Sequence, residues 1–261
     1  MTEIAPEQPV SGATQRPDGL WVFPRKEFTR ERFEYKAGQH VVFAGPTQNG
    51  KTSLAFDLWE ECATPELPAY VCVSKPSDPV SSKRGKQLGF RRVSEWPARK
   101  TIKEMREGPP PGYLIWPQFG NMETDVDNAR RVTNDFLQHT YANGAKGKKA
   151  IIGLDDTYLK SKVLRLDREM TTIHAMAGAM GIGAWTFVQK PTGAGETALI
   201  AYGSSDHIFL FKEPDKKNRD RFGEIGGVDP KMVEEITKSL GQYQALYISR
   251  KGSYMCIVDK D

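Results

Sequence analysis

The chain has 261 residues, 38% of them apolar and 27% charged, with a formal net charge of +4. That size and composition suit one globular domain with a sizeable core and exclude a disordered or fibrous chain. Three scattered cysteines, Cys62, Cys72 and Cys256, form neither a disulfide framework nor a metal-ligand spacing, and so mild a positive charge permits nucleic-acid contact without demanding it.

Residues 1–19 lack a basic-then-apolar leader, and their Pro, Gln, Ser and Gly content predicts a mobile arm ahead of a single domain over residues 20–261. Residues 20–23 read as an edge strand. A charged aromatic stretch follows at 26–35, and the tract 21–35 is expected to pack across the sheet edge or against a neighbouring subunit. The core is expected to begin at His40, where an apolar strand runs into GPTQNGKT, a complete G-x-x-x-x-G-K-[ST] phosphate loop. Its glycines let the backbone curl so that successive N–H groups face a phosphate, and the next helix adds the positive end of its dipole. Gly45, Pro46, Thr47, Gln48, Asn49, Gly50, Lys51, Thr52 and Ser53 are therefore the expected nucleotide-binding residues. Lys51 would reach the β and γ phosphates and Thr52 would ligate Mg²⁺.

Apolar runs at 69–73 and 113–116 predict buried strands, separated by a basic loop over 81–92 and a helix over 98–107. Helical spacing of Val126, Ala129, Val132, Phe136 and Leu137 predicts a helix over 122–141, ending before Asn143-Gly144. A basic connector with Lys146, Lys148 and Lys149 leads to a strand at 150–154. A helix over 167–180, a strand at 184–188, a short helix near 197–202 and a strand at 207–211 complete the alternation. Asp229-Pro230 starts another helix that stops at Gly241, and strands at 244–249 and 254–258, joined around Lys251-Gly252, read as a terminal hairpin. The longest largely uncharged run, 173–189, is broken by His174 and glycines and divides into a helix end and a strand rather than a membrane span. The fold class expected from this order is α/β, a mostly parallel sheet with helices on both faces.

Two further features carry chemistry. The strand at 150–154 ends in Asp155-Asp156, and strand ends of a parallel sheet open onto the ligand crevice. Asp155 would hold Mg²⁺ as a Walker B acid, and Asp156 would orient and deprotonate the attacking water. Gln189 follows the strand at 184–188, where a neutral amide can touch the γ-phosphate or the lytic water without changing local charge. On its own, a strand-end glutamine is better explained as a turn former.

Phosphate loop, IIGLDD, a helix containing His174 and GIGAWTFVQKP, in that order, resemble the FtsK/HerA superfamily of ring-forming ATPases. Within it they look most like the DNA-packaging ATPases of internal-membrane and large DNA viruses. The resemblance covers residues 39–211. It implies a sheet order of 5-1-4-3-2, hydrolysis of ATP with Mg²⁺, a homo-oligomeric ring, often a hexamer, and double-stranded DNA in the central channel. It also implies work in the host-cell cytoplasm or at a virion or procapsid vertex, with capsid vertex proteins as partners. Many relatives carry glutamate where this chain has Asp156, and the viral branch often has arginine and histidine before the glutamine strand, where only His174 stands here. Ring ATPases complete each site with an arginine from the neighbouring subunit. Arg165 and Arg168 are the leading candidates, with Arg219, Arg221 and Arg250 behind them. Lys83, Arg84, Lys86, Arg91, Arg92 and the 146–149 lysines are the basic clusters open to DNA. The competing functions are an ATPase of a filamentous-phage assembly or secretion apparatus, a nucleotide-dependent switch protein, and a nucleotide kinase, which would need an acceptor pocket and lid that the sequence does not suggest.

Overall fold

In the computed structural model, residues 12–118, 121, 124–189, 192, 195–223, 225, 227–250 and 254–260 are described. The chain begins with a short strand β1 (Thr14–Gln15) paired antiparallel to β2 (Trp21–Pro24), followed by a helical turn α1 (Arg25–Glu27). Residues 1–11 of the expected arm, Met122 and the Lys251-Gly252 turn lie outside the described residues. The phosphate-loop unit comes next: β3 (Val41–Ala44), α2 (Lys51–Cys62) and β4 (Ala69–Cys72). Then come α3 (Pro79–Gln87), β5 (Arg91–Val93), α4 (Ile102–Glu107), β6 (Gly112–Ile115) and the long α5 (Asp125–Gly144). The second half holds β7 (Ala150–Leu154), α6 (Asp167–Met176), β8 (Ile182–Val188), α7 (Gly195–Ser204) and β9 (His207–Phe211). It ends with α8 (Lys216–Phe222), α9 (Pro230–Ser239), β10 (Ala245–Ser249) and β11 (Tyr254–Asp259).

The strands form one sheet in the order β1-β2-β11-β10-β9-β3-β8-β7-β4-β6-β5. From β9 to β5 every neighbouring pair is parallel, whereas β10 runs antiparallel to both β9 and β11. With the edge strands β5 and β6 left out of the count, and numbering from the phosphate-loop strand, the centre β9-β3-β8-β7-β4 is the expected 5-1-4-3-2. The five residues of β7 and the seven of β8 are all buried, as strands covered on both faces must be. On one face Phe43, Trp185, Phe187 and Phe209 pack with Trp59 of α2; on the other, Ile152 and Ala184 pack with Phe136 of α5 and Ile173 of α6.

Four expectations need correction. Of the tract 21–35, Trp21–Pro24 lies near the sheet edge as β2, but residues 26–35 turn over the sheet face: Phe28 meets Phe209 and Tyr247, and Phe33 meets Trp185, because these rings have apolar area to bury. Gly183 makes room for this, since a Cβ there would stand 1.9 Å from the Tyr35 hydroxyl. The basic stretch 81–92 is no loop. Asp78 caps α3, accepting from the amides of Val80 (3.1 Å) and Ser81 (3.3 Å), with Pro79 in its first turn, and Arg91 and Arg92 sit in β5. α4 starts at Ile102 rather than residue 98, since Thr101 and Glu104 close a capping box there. α5 continues through Asn143-Gly144, and α8, capped by Asp215, was not expected at all.

Candidate nucleotide site

Parallel strands β3, β7, β8 and β9 end on the same edge of the sheet, and the loops leaving them form the site. Gly45 leaves β3 with φ of 143°, and its amide donates to Val188 O (3.0 Å), tying the phosphate loop to the end of β8. A Cβ on Gly45 would lie 2.8 Å from that of Phe211, so the loop can turn this close to β9 only as glycine. Gln48 at φ 66° and Gly50 at φ 90° complete the curl, and Asn49 Nδ2 donates to Lys212 O (2.9 Å). Gly50 is also the N-cap of α2, whose first-turn amides thus point into the loop.

Lys51 is buried and donates through Nζ to the carbonyls of Gly45 (2.6 Å) and Pro46 (2.5 Å), folding its ammonium back over the loop. Burial lowers its pKa to about 8, against the opposing pull of the Asp155 carboxylate. Thr52 and Ser53 are half-buried in the same first turn.

Asp155 is 8% exposed, and its Oδ2 has no hydrogen-bond partner among the described residues. Burial raises its pKa, while Lys160 and Lys75 pull it down. An orphaned buried carboxylate oxygen beside a phosphate loop suits a cation, so the residues present fit Mg²⁺. The segment leaving β7 is held from both sides. Ser74 Oγ donates to Asp155 O (3.0 Å), and Thr157 Oγ1 donates to Phe187 O (2.7 Å). Lys160, fully buried, donates through Nζ to Cys72 O (3.1 Å), Ser74 Oγ and Asp155 O, lashing the ends of β4 and β7 together. Asp156 takes a left-handed φ of 50° and accepts from Leu159 N (3.0 Å), so one of its oxygens caps the next turn. Gln189 stands half-buried one residue beyond the carbonyl that binds Gly45.

The structure thus gathers the phosphate loop, Asp155, Asp156 and Gln189 on one edge. Of the candidate arginines, Arg219 follows β9 onto that same edge, whereas Arg165, Arg168 and Arg250 are not placed beside the loop. Arg165 and Arg168 are exposed after β7, alongside α5 and α6. Arg219 donates to Glu213 O (2.9 Å) and Pro214 O (2.6 Å), and Arg250 to Tyr202 O (3.1 Å) and Gly203 O (2.6 Å); all four acceptors are carbonyls of their own chain. Lys160, Ser74 and Lys75 escaped the sequence reading. The only signal was a lysine four residues past Asp156 in an otherwise unremarked turn.

At the opposite edge a cavity of about 930 Å³ is lined by His40, His174 and His207. Its imidazoles are engaged: His174 with Thr186 Oγ1 (2.9 Å) and Ser204 Oγ (3.2 Å), His207 with Tyr247 Oη (2.7 Å), and His40 Nδ1 with Ala184 N (2.9 Å). His174 is a packed structural residue here. The DNA-facing candidates are partly engaged too, Arg84 with Asp57 and Glu60, Arg91 with Glu104, and Arg92 over the Trp116 ring at 3.9 Å. Lys146, Lys148 and Lys149 are exposed at the edge away from the phosphate loop. No helix among the described residues is long and apolar enough to cross a membrane.

No family model matches the chain, and no curated protein sequence does. Among solved structures it is similar to B204, the DNA-packaging ATPase from Sulfolobus Turreted Icosahedral Virus, at 15% identity and a TM-score of 0.57, over 87% of this chain and 100% of that one. The genome packaging NTPase B204 of Sulfolobus turreted icosahedral virus 2, in complex with ATP-gammaS, matches at 12% identity and a TM-score of 0.58, with the same coverage. VirB4 of Thermoanaerobacter pseudethanolicus matches at 7% identity and a TM-score of 0.65, over 100% of this chain and 98% of that one. At such identities the likeness is one of fold, and at that level the resemblance read from the motifs holds.

Proposed function

We propose that this protein is an ATPase that hydrolyses Mg-ATP to drive double-stranded DNA, and that it packages a viral genome into a procapsid. The observation that carries the reading is the convergence of an intact phosphate loop, Asp155-Asp156 and Gln189 on one edge of a 5-1-4-3-2 sheet. A fold shared with viral genome packaging NTPases supports the biological setting.

In this reading the amides of 45–52 and Lys51 hold the phosphates, and Thr52 with Asp155 holds the metal. Bound Mg²⁺ would neutralise charge on the β and γ phosphates. Asp156 takes the proton of the attacking water and Gln189 orients it, so that loss of the γ-phosphate is felt at the end of β8. A homo-oligomeric ring, a hexamer in the simplest form, places Arg165 or Arg168 of one subunit at the site of the next, where a guanidinium neutralises the departing phosphoryl group. DNA contact is electrostatic and independent of base sequence. The ring works in the host cytoplasm and docks at a capsid vertex.

The test is hydrolysis by the purified protein with and without duplex DNA. Lys51→Ala is expected to abolish turnover, and duplex DNA to stimulate the wild type. Turnover unchanged in the variant sinks the enzyme; rings whose turnover ignores DNA sink the motor.

A further inference from the structure

The groups that face the γ end of a bound triphosphate, Asp155 and Gln189, leave the sheet from β7 and β8, on one side of the phosphate-loop strand. A triphosphate held at that end must carry its nucleoside out on the other side, toward β9 and β10. Because β10 and β11 run antiparallel to each other, the start of β10 and the end of β11 reach the same edge of the sheet as the phosphate loop. The end of β2, parallel to β11, arrives there as well. Three segments distant in sequence thus deliver Arg25, Tyr243 and Lys260 to the nucleoside side of the loop.

Their contacts are specific. Tyr243 Cδ1 lies 3.3 Å from where a Cβ on Gly50 would stand, so the ring rests against the phosphate loop itself. The residue is nevertheless 37% exposed. Lys260 Nζ lies 4.6 Å from the ring centroid. Arg25 is 6% exposed and donates through Nη2 to Tyr243 O (3.2 Å) and through Nη1 to Asp57 Oδ2 (3.5 Å) of α2. Its Nε is buried without a hydrogen-bond partner among the described residues. The turn carrying Tyr243 is therefore fastened to the helix that starts at the loop, and the ring, with the Lys260 ammonium over one face, offers its remaining exposed π surface with little freedom to lose on binding.

We propose that Tyr243 is the nucleobase platform of this site, stacking on the base of the bound nucleoside triphosphate, with Arg25 as the residue that positions it. The inference rests on the triphosphate-site reading above and adds the part of the ligand that the phosphate loop cannot recognise. Stacking uses a π face that every base has, so the platform binds without choosing strongly among bases.

The experiment compares binding of Mg-ATP and of Mg-tripolyphosphate, which has no base, to the full-length protein. Tyr243→Leu keeps apolar bulk against Gly50 but removes the π face, and Tyr243→Phe keeps the ring. Tyr243→Leu is expected to weaken ATP about tenfold while leaving tripolyphosphate unchanged, and Tyr243→Phe to bind both as the wild type does. Wild-type ATP affinity in Tyr243→Leu overturns the platform, as does a parallel loss of both ligands, which would mean that the ring merely supports the loop. A wild-type protein that binds neither ligand instead overturns the triphosphate site itself.

Discussion

Asp156 has an observed role as a cap and a proposed one as the base, and one substitution can separate them. Its backbone occupies the left-handed region, and its carboxylate caps the turn at Leu159. Asparagine tolerates that backbone region and keeps an acceptor oxygen, but it cannot take a proton. Asp156→Asn is therefore expected to keep stability within about 0.5 kcal/mol while lowering hydrolysis by about 100-fold or more, measured by denaturant unfolding and steady-state turnover. Equal turnover would leave the residue only its cap. The candidate site residues were legible because phosphate loops and strand-end acids are local patterns. Lys160 was not, because its partners Cys72 and Ser74 are more than 80 positions away and are brought near only by the pairing of β4 with β7. Tyr243 escaped for the same reason, resting on a glycine that the chain reaches nearly 200 residues earlier.

Among the elements, long apolar strands were read well and short polar ones were not. The strands β7, β8 and β9 are buried along their whole length, and their runs of Ile, Val, Phe and Trp need no context to be recognised. By contrast, β5 has no fully buried residue and owes its place to pairing with β6 at the sheet edge. Helix α3 shows a missed local signal. Asp78-Pro79 carries the same cap and first-turn proline as Asp229-Pro230, which was read correctly, but the lysines and arginine that follow hid the helix. Asp78 also accepts from Ser81 Oγ (3.0 Å). Asp78→Ala should cost about 1 kcal/mol of unfolding free energy, with the loss of protection concentrated in residues 79–87 by hydrogen exchange. A variant as stable as the wild type would show that packing alone holds α3.

For the whole molecule, acid stability follows from what is sealed beneath the sheet. His174 is buried between Thr186 of β8 and Ser204 of α7, with the His40 ring 5.3 Å away. Burial, with His40 adding to it, lowers its pKa from 6.5 to about 3, so the folded state keeps it neutral. The unfolded chain binds a proton near 6.5, so stability from this residue is complete above that pH and drains as pH falls toward about 3. Relative to His174→Gln, the wild type is expected to lose about 1.4 kcal/mol per pH unit across that window, measured by urea unfolding at a series of pH values. Parallel curves for the two proteins would refute it. Taken by itself, the sequence determined the α/β class, the phosphate-loop motif and the strand-end positions of Asp155, Asp156 and Gln189, since each is written in contiguous residues, while the central strand order came only through the motif resemblance. Only the tertiary structure decided that residues 26–35 cover a sheet face, that Arg219 and Arg250 are held by carbonyls of their own chain, and that Tyr243 meets the phosphate loop. Those outcomes depend on which strand ends share an edge, and that is set by long-range pairing and burial rather than by any local pattern.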